Sequence, residues 1–161
     1  MEVAYLADHP LLIPVLAGWF QDEWGYMSPG SSVSDVEDSL RQHLHRDELP
    51  LALVALNGAA VIGSASLRPF DMKTRKNLSN WLSSVYVPLE QRGRGIGSKL
   101  VRAVEAEASR LGIVTLHLYT PDKESFYARL GWSRIETTEY GQEQVVIMQK
   151  RLTAQGPGLT R

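Results

Sequence analysis

The chain contains no cysteine, which excludes disulfides, thiolate metal centres and a cysteine nucleophile and leaves it indifferent to the redox state of its compartment. No apolar run approaches the ~20 residues that a bilayer-spanning helix needs, and the first residues lack a signal-peptide pattern. A cytoplasmic protein without a membrane partner is expected. Strong charge of either sign is missing too. The net charge is −1, so the overall balance does not recommend a nucleic-acid partner. Arg68, Lys73, Arg75 and Lys76 cluster in one connection, but with Phe70 as its sole aromatic that segment reads as a solvated loop. His9, His43 and His45 show no metal spacing, because His43 and His45, two apart on a helix, point to different sides. No metal is expected. Repeats and linkers are absent as well.

What is present suits one domain with a sizeable core: 161 residues, 43% of them hydrophobic. Residues 1–152 are expected to form it, and residues 153–161, with Gly156-Pro157-Gly158, to be a disordered tail. Charge is unevenly spread. Residues 1–48 carry nine acids against Arg41 and Arg46, whereas residues 49–161 carry nine acids against fifteen bases.

Val3 to Leu6 reads as a strand, and Asp8 as the cap of a helix whose buried face is Leu12, Val15, Leu16, Trp19 and Phe20. Pro14 delays regular helix to about its own position. Ser34-Asp35-Val36-Glu37 is a capping-box pattern for a second helix with Val36, Leu40 and Leu44 on one face. Two strands, Leu51 to Leu56 and Ala60 to Leu67, flank the hairpin signal Asn57-Gly58. A further strand ends at Val87. Leu100, Val101, Val104, Ala108 and Leu111 mark a helix that Gly112 stops. Val114, Leu116 and Leu118 alternate as in a strand, Asp122 is placed to cap a short helix through Phe126, Tyr127 and Leu130, and two strands pair across Tyr140-Gly141. The order is β-α-α-β-β-β-α-β-α-β-β.

Between the strand ending at Val87 and the helix beginning near Ser98 lies Arg92-Gly93-Arg94-Gly95-Ile96-Gly97. Such a loop turns unpaired N–H groups outward at the positive end of a helix dipole, where a pyrophosphate binds well. Read alone, it is either that or an ordinary glycine turn. It is not a dinucleotide fingerprint, because the residue three after Gly95 is Ser98. It is not a nucleotide P-loop either, since Gly97 is followed by Ser98-Lys99-Leu100. The pattern R-x-x-G-x-G, from Arg92 to Gly97, resembles the GNAT superfamily of acyl-CoA-dependent N-acyltransferases. About thirty residues further on, Phe126-Tyr127-Ala128-Arg129-Leu130-Gly131-Trp132 is similar to a second signature of that family, F-Y-x-x-x-G-[FW].

The resemblance spans roughly Val3 to Leu152. It implies an α/β (α+β) GNAT fold: a mixed central sheet of about seven strands with about four helices. It further implies acetyl-CoA as co-substrate and direct transfer of an acetyl group to a primary amine in a ternary complex. The loop residues Arg92, Gly93, Arg94, Gly95, Ile96, Gly97 and Ser98 would then hold the pyrophosphate. Backbone groups at Val85, Tyr86 and Val87 would receive the pantetheine arm and polarise the thioester carbonyl. Tyr127 would also touch the cofactor, with a phenol suited to protonating the departing thiolate; its alternative role is simply to pack its ring.

The strand Asn80-Trp81-Leu82-Ser83-Ser84-Val85-Tyr86-Val87 lacks the carboxylate that serves as base in some relatives. His117, Glu23 or a water chain past Ser83 or Ser84 could replace it. The missing carboxylate also sustains a different class of function, a non-catalytic acyl-CoA-binding sensor or interaction module. For the acceptor, a small molecule or peptide, a cationic amine is suggested by Asp22 and Glu23. Both sit in the last turn of a helix, where the dipole disfavours them, and Trp19 and Trp24 nearby could add cation–π surface. The assembly is expected to be a monomer or homodimer.

Overall fold

The computed structural model describes residues 1–153, so beyond Thr153 the expected tail lies outside the described residues. The chain runs β1 (Glu2–Tyr5), α1 (Ile13–Trp24), α2 (Val33–Arg41), β2 (Leu51–Asn57), β3 (Ala60–Arg68), β4 (Trp81–Tyr86), α3 (Ile96–Arg110), β5 (Thr115–Thr120), α4 (Glu124–Arg129), β6 (Ser133–Tyr140) and β7 (Glu143–Arg151). Short 3₁₀ turns precede and follow α1 and precede the glycine loop. The seven strands form one sheet in the order β1-β2-β3-β4-β5-β7-β6. Every neighbouring pair is antiparallel except β4 and β5. This is the seven-stranded mixed sheet with four helices that the sequence led us to expect.

β2 explains the layering. Its residues from Leu51 to Leu56 are all buried, because alternate side chains face opposite layers. Leu51, Leu53 and Ala55 join the core under α3, whereas Ala52, Val54 and Leu56 join Leu16, Ala17 and Phe20 of α1 and Leu40 of α2. The α3 stripe of Leu100, Val101, Val104 and Ala108 is fully buried; each large side chain there is worth about 1.5–3 kcal/mol. Gly63 of β3 lets that helix lie close, since a Cβ there would come within 2.9 Å of Leu100.

Five local expectations need correction. The capping box is Ser32 and Asp35, not Ser34 and Glu37: Asp35 N–H donates to Ser32 Oγ (3.2 Å) and Ser32 N–H to Asp35 Oδ2 (2.9 Å). Ser32 is the last extended residue (φ −105°, ψ 168°), so the helix begins at Val33 and Ser34 already lies inside it. That helix also stops short of Leu44, where the Ser39 carbonyl of its last turn accepts from both Gln42 N–H (3.1 Å) and the His43 ring at Nδ1 (2.7 Å). Asp8 caps nothing and pairs with Arg46 instead, while α1 starts beside Pro14 without a side-chain cap. Asp122 does not cap α4 either, because Thr120 Oγ1 accepts the Asp122 and Lys123 N–H groups (3.4 and 3.0 Å) and delays the helix to Glu124. Val114 lies before β5 and is exposed, whereas His117 is buried.

One buried group has no partner. The hydroxyl of Ser64, fully buried on β3, is the one buried side-chain polar atom without a hydrogen bond among the described residues. Leaving such a group unsatisfied costs about 1–3 kcal/mol. Ser64→Ala should therefore raise stability by about 1 kcal/mol, seen as a higher denaturation midpoint. A lower midpoint would mean that the hydroxyl has a partner in solution.

Candidate active site

β4 and β5 meet in ladder pairing at one position, Trp81 opposite His117. Beyond it the strands part, and the β5 side of β4 from Ser83 onward lacks a ladder partner. On its other side, β4 takes up an extra residue: Ser64 pairs with Tyr86, but Ser66 pairs with Ser83. Ser84 carries the distortion, in the left-handed region at φ 54°, where a non-glycine residue is strained. A wedge with free backbone groups therefore opens in mid-sheet, beside Val85, Tyr86 and Val87.

The glycine loop closes the wide end of the wedge. Gly95 stands at the cap position of α3 with φ 80°, and Gly93 has φ 79°. The first backbone bond of the helix runs from Lys99 N–H to the Gly95 carbonyl (3.1 Å). The N–H groups of Ile96, Gly97 and Ser98 thus precede the helix's own ladder and are free to meet an anion. Arg92 is occupied elsewhere. Its Nε–H donates to the Val87 carbonyl (2.8 Å), its guanidinium lies 5.9 Å from the centre of the Tyr86 ring, and its Nη2 is 4.0 Å from Glu23. It ties the loop to the end of β4 and to α1, leaving Arg94, 3.5 Å from Gln91 Oε1, as the exposed cation of the loop.

α4 fills the other wall. Phe126 approaches Gly97, where a Cβ would stand 3.5 Å from the ring. Tyr127 is 8% exposed, edge-on to Phe126 at 4.9 Å and to Trp132 at 6.3 Å. Gly131 (φ 95°) turns the chain so that Trp132 N–H donates back to the Tyr127 carbonyl (3.1 Å). Trp132 Nε1–H also donates to Glu105 (3.1 Å), which holds Lys150 at 2.8 Å. The motif's glycine and tryptophan therefore fix α4 against α3 and β7. Among the described residues nothing hydrogen-bonds the Tyr127 hydroxyl. Burial, aided by the charge of Asp122, pushes its pKa well up, so near neutral pH it is a phenol that can donate a proton.

The aromatic residues foreseen on the acceptor side do gather. Trp19 stacks on Tyr86 at 5.2 Å, and Trp24 meets the same ring edge-on at 5.9 Å. Glu23 has its compensating cation in Arg92, whereas Asp22 is exposed. A cavity of about 230 Å³ opens between α1, α2, β3 and β4, lined among others by Trp24, Asp35, Ser39, Arg68 and Ser84. Trp19, Asp22 and Glu23 are not part of its lining. Tyr26 donates to Glu143 (3.0 Å), spanning from the turn after α1 to the β6–β7 hairpin.

Sequence reasoning missed the polar floor of this cavity. Arg68 donates from Nε to His43 Nε2 (3.0 Å), from Nη1 to Asp71 (3.1 Å) and from Nη2 to Ser39 Oγ (3.3 Å). Burial and the Arg68 charge lower the His43 pKa to about 4, so it is a neutral acceptor at Nε2. His117 is structural: its Nδ1 meets the Ser79 carbonyl (3.1 Å) and its ring lies 5.5 Å from Trp81. No cluster of three His, Asp or Glu suited to a metal occurs among the described residues, and no described helix is long and apolar enough to cross a membrane.

The N-terminus of α3 thus stands at the mouth of a parted pair of parallel strands, and comparison with known proteins identifies the family. The model of the Acetyltransferase (GNAT) family matches residues 15–132, and the chain belongs to that family. It is 37% identical over 131 residues to N-alpha-acetyltransferase 80 of Mus musculus, a match that covers 76% of this chain and 38% of that protein. The chain thus spans well under half the length of this curated relative. Among solved structures, an aminoglycoside 6'-N-acetyltransferase complexed with coenzyme A superposes with a TM-score of 0.73 at 17% identity, over 97% of this chain and 99% of that one. The ribosomal-protein-alanine N-acetyltransferase of Brucella melitensis gives 0.72 at 20% identity, over 94% and 100%. At these identities the two structures show the shared fold.

Proposed function

We propose that the protein is an acetyltransferase that passes the acetyl group of acetyl-CoA directly to a primary amine while both are bound. The observation that carries this reading is the open wedge between β4 and β5, with the N-terminus of α3 at its wide end and the phenol of Tyr127 buried in its wall. The pyrophosphate sits on the N–H groups of Gly95, Ile96, Gly97 and Ser98, while Gly93 shapes the turn and Arg94 adds charge. Amides of the pantetheine arm pair with the unladdered edge at Val85, Tyr86 and Val87, which also polarises the thioester carbonyl. The coenzyme A in the aminoglycoside acetyltransferase structure supports this choice of cofactor. Tyr127 gives its proton to the leaving sulfur, since a phenol held neutral by burial is a weak acid beside a developing thiolate.

The acceptor enters from the side of the 230 Å³ cavity, past Trp24. We take it to be cationic when it arrives, because Asp22 faces solvent with no cation paired to it among the described residues. A screen of amines, basic and neutral peptides and aminoglycosides, scored by free thiol released from acetyl-CoA, tests the whole reading. Acetyl-CoA binding without thiol release on any amine would leave a non-catalytic acyl-CoA sensor in its place. Replacing Asp22 and Glu23 by Asn and Gln should raise KM several-fold for cationic acceptors, the scale of exposed charge pairs, and leave a neutral amine unchanged. Equal responses would remove the cationic preference.

A further inference from the structure

The proposed transfer needs a base, and neither of the single residues considered from the sequence is free to be one. His117 is held in the core by the Ser79 carbonyl and Trp81, and Glu23 lies beside Arg92. The structure supplies another route. In a regular strand adjacent side chains point to opposite faces, and Leu82 of β4 packs in the core under α3. Ser83, one residue on, belongs to the other face, opposite Ser66. Ser84 should return to the side of Leu82. It does not, because its left-handed conformation (φ 54°) brings it to the cavity wall beside Ser66 and Arg68, with its Oγ 3.2 Å from the Oγ of Ser83. Ser83 is 5% exposed, and the carboxyl of Asp71 lies close enough for its hydroxyl to favour the ionised acid. A strained residue in a β-strand is costly, and here the strain aligns two hydroxyls between a cavity and a buried acid.

We propose that Asp71 is the terminal proton acceptor for the amine, reached through the hydroxyls of Ser84 and Ser83. The proposal rests on the acetyltransferase reading above. The acceptor's ammonium gives a proton to Ser84 Oγ, Ser84 passes its own to Ser83, and Ser83 passes its own to the Asp71 carboxylate, which becomes a carboxylic acid. The freed nitrogen lone pair attacks the thioester carbon, and the carbon–sulfur bond breaks as Tyr127 protonates the sulfur. The second nitrogen proton, lost as the amide forms, restores the phenol. Asp71 then returns its proton to water by the same path, so the net products are an amide, a free thiol and one proton.

The surroundings suit that role. Burial raises the pKa of Asp71 above the usual carboxylate range, while the Arg68 guanidinium and the Ser83 hydroxyl pull in the opposite direction and keep the ionised form within reach. From β3 it faces Arg68 (3.1 Å) and from β4 Ser83; Tyr119 of β5 stands near with its phenol pushed up and neutral. His43, beyond Arg68, titrates near pH 4, below the range that matters. Lys73 and Lys76 of the same connection line, together with Asp71, a second cavity.

The test compares Ser83→Val with Ser83→Thr, equal in bulk and different by one hydroxyl, using kcat at saturating acceptor from pH 5.5 to 9.5 with whichever amine the thiol-release screen finds best. In the wild type kcat should level off above the Asp71 titration. In Ser83→Val it should fall about 10²-fold at pH 6.5 and climb with pH toward the amine's own pKa, coming within a few-fold of wild type at pH 9.5. Ser83→Thr should restore the wild-type profile, and Asp71→Asn, where it folds, should match Ser83→Val. Loss of stability alone would not move the pH profile. Matching profiles for the Val and Thr variants would overturn the relay while leaving the transferase reading standing. Absence of thiol release with every amine at every pH would overturn both.

Discussion

Gly95→Val should yield a folded protein that has lost acetyl-CoA. The residue is at φ 80° with no atom within 4 Å of an added Cβ, so the added Cβ itself meets no clash. It is strained by ~1–2 kcal/mol, tolerable against the roughly 5–15 kcal/mol of a typical domain. The chain can relieve the strain only by turning residue 95 out of the left-handed region, which swings the following N–H groups away from the pyrophosphate. Losing one or two bonds to a charged group, at ~1.5–3 kcal/mol each, lowers affinity about 10²-fold or more. Calorimetry reads this directly. Gly58→Val is the control, with similar strain (φ 62°) in the β2–β3 hairpin; it should lose stability and keep its affinity. A folded Gly95→Val protein that binds normally would remove the loop from the cofactor site.

Tyr127→Phe should lower kcat by ~10²–10⁴-fold with little change in acetyl-CoA affinity, because the hydroxyl is used only as the sulfur departs. The ring contacts with Phe126 and Trp132 survive the change. Since the hydroxyl has no partner inside the described structure, stability should hold or rise slightly. Both roles considered for this residue from the sequence are compatible with its position: the ring packs, and the hydroxyl is left over. Turnover at the wild-type rate in Tyr127→Phe would show that packing is the whole of it.

The fold was legible wherever one residue's neighbours in sequence are also its neighbours in space. The α3 stripe and the two hairpins carry their own periodicity and turn residues, and the two motifs around Arg92 and Tyr127 each form one local unit. Helix ends were less legible. Ser32 and Ser34 both offer a hydroxyl ahead of an acid three residues on, and only the extended backbone at Ser32 decides between them. The floor of the cavity was not legible at all. Arg68 meets His43 and Ser39 across 25 and 29 positions, separations at which no periodicity operates. Ser83 and Ser84 were visible only as a possible water path, because a strand pattern predicts that adjacent side chains diverge. What unites them is a backbone distortion that serine, unlike glycine, does not announce.

The single rung between β4 and β5 bears on how firmly the molecule holds together without its cofactor. The sheet is continuous on either side of that rung, but across it the two halves share one ladder position and rely on packing beneath α3. A pantetheine arm pairing with β4 would lie in the gap as a substitute strand, so binding and folding are thermodynamically linked. At a concentration a hundred times its dissociation constant, acetyl-CoA would add about 2.7 kcal/mol to the unfolding free energy. Heat resistance measured on the empty protein would understate that of the protein at work, and amides along β4 and β5 would exchange with solvent sooner than those along β2 and β3 until the cofactor arrives.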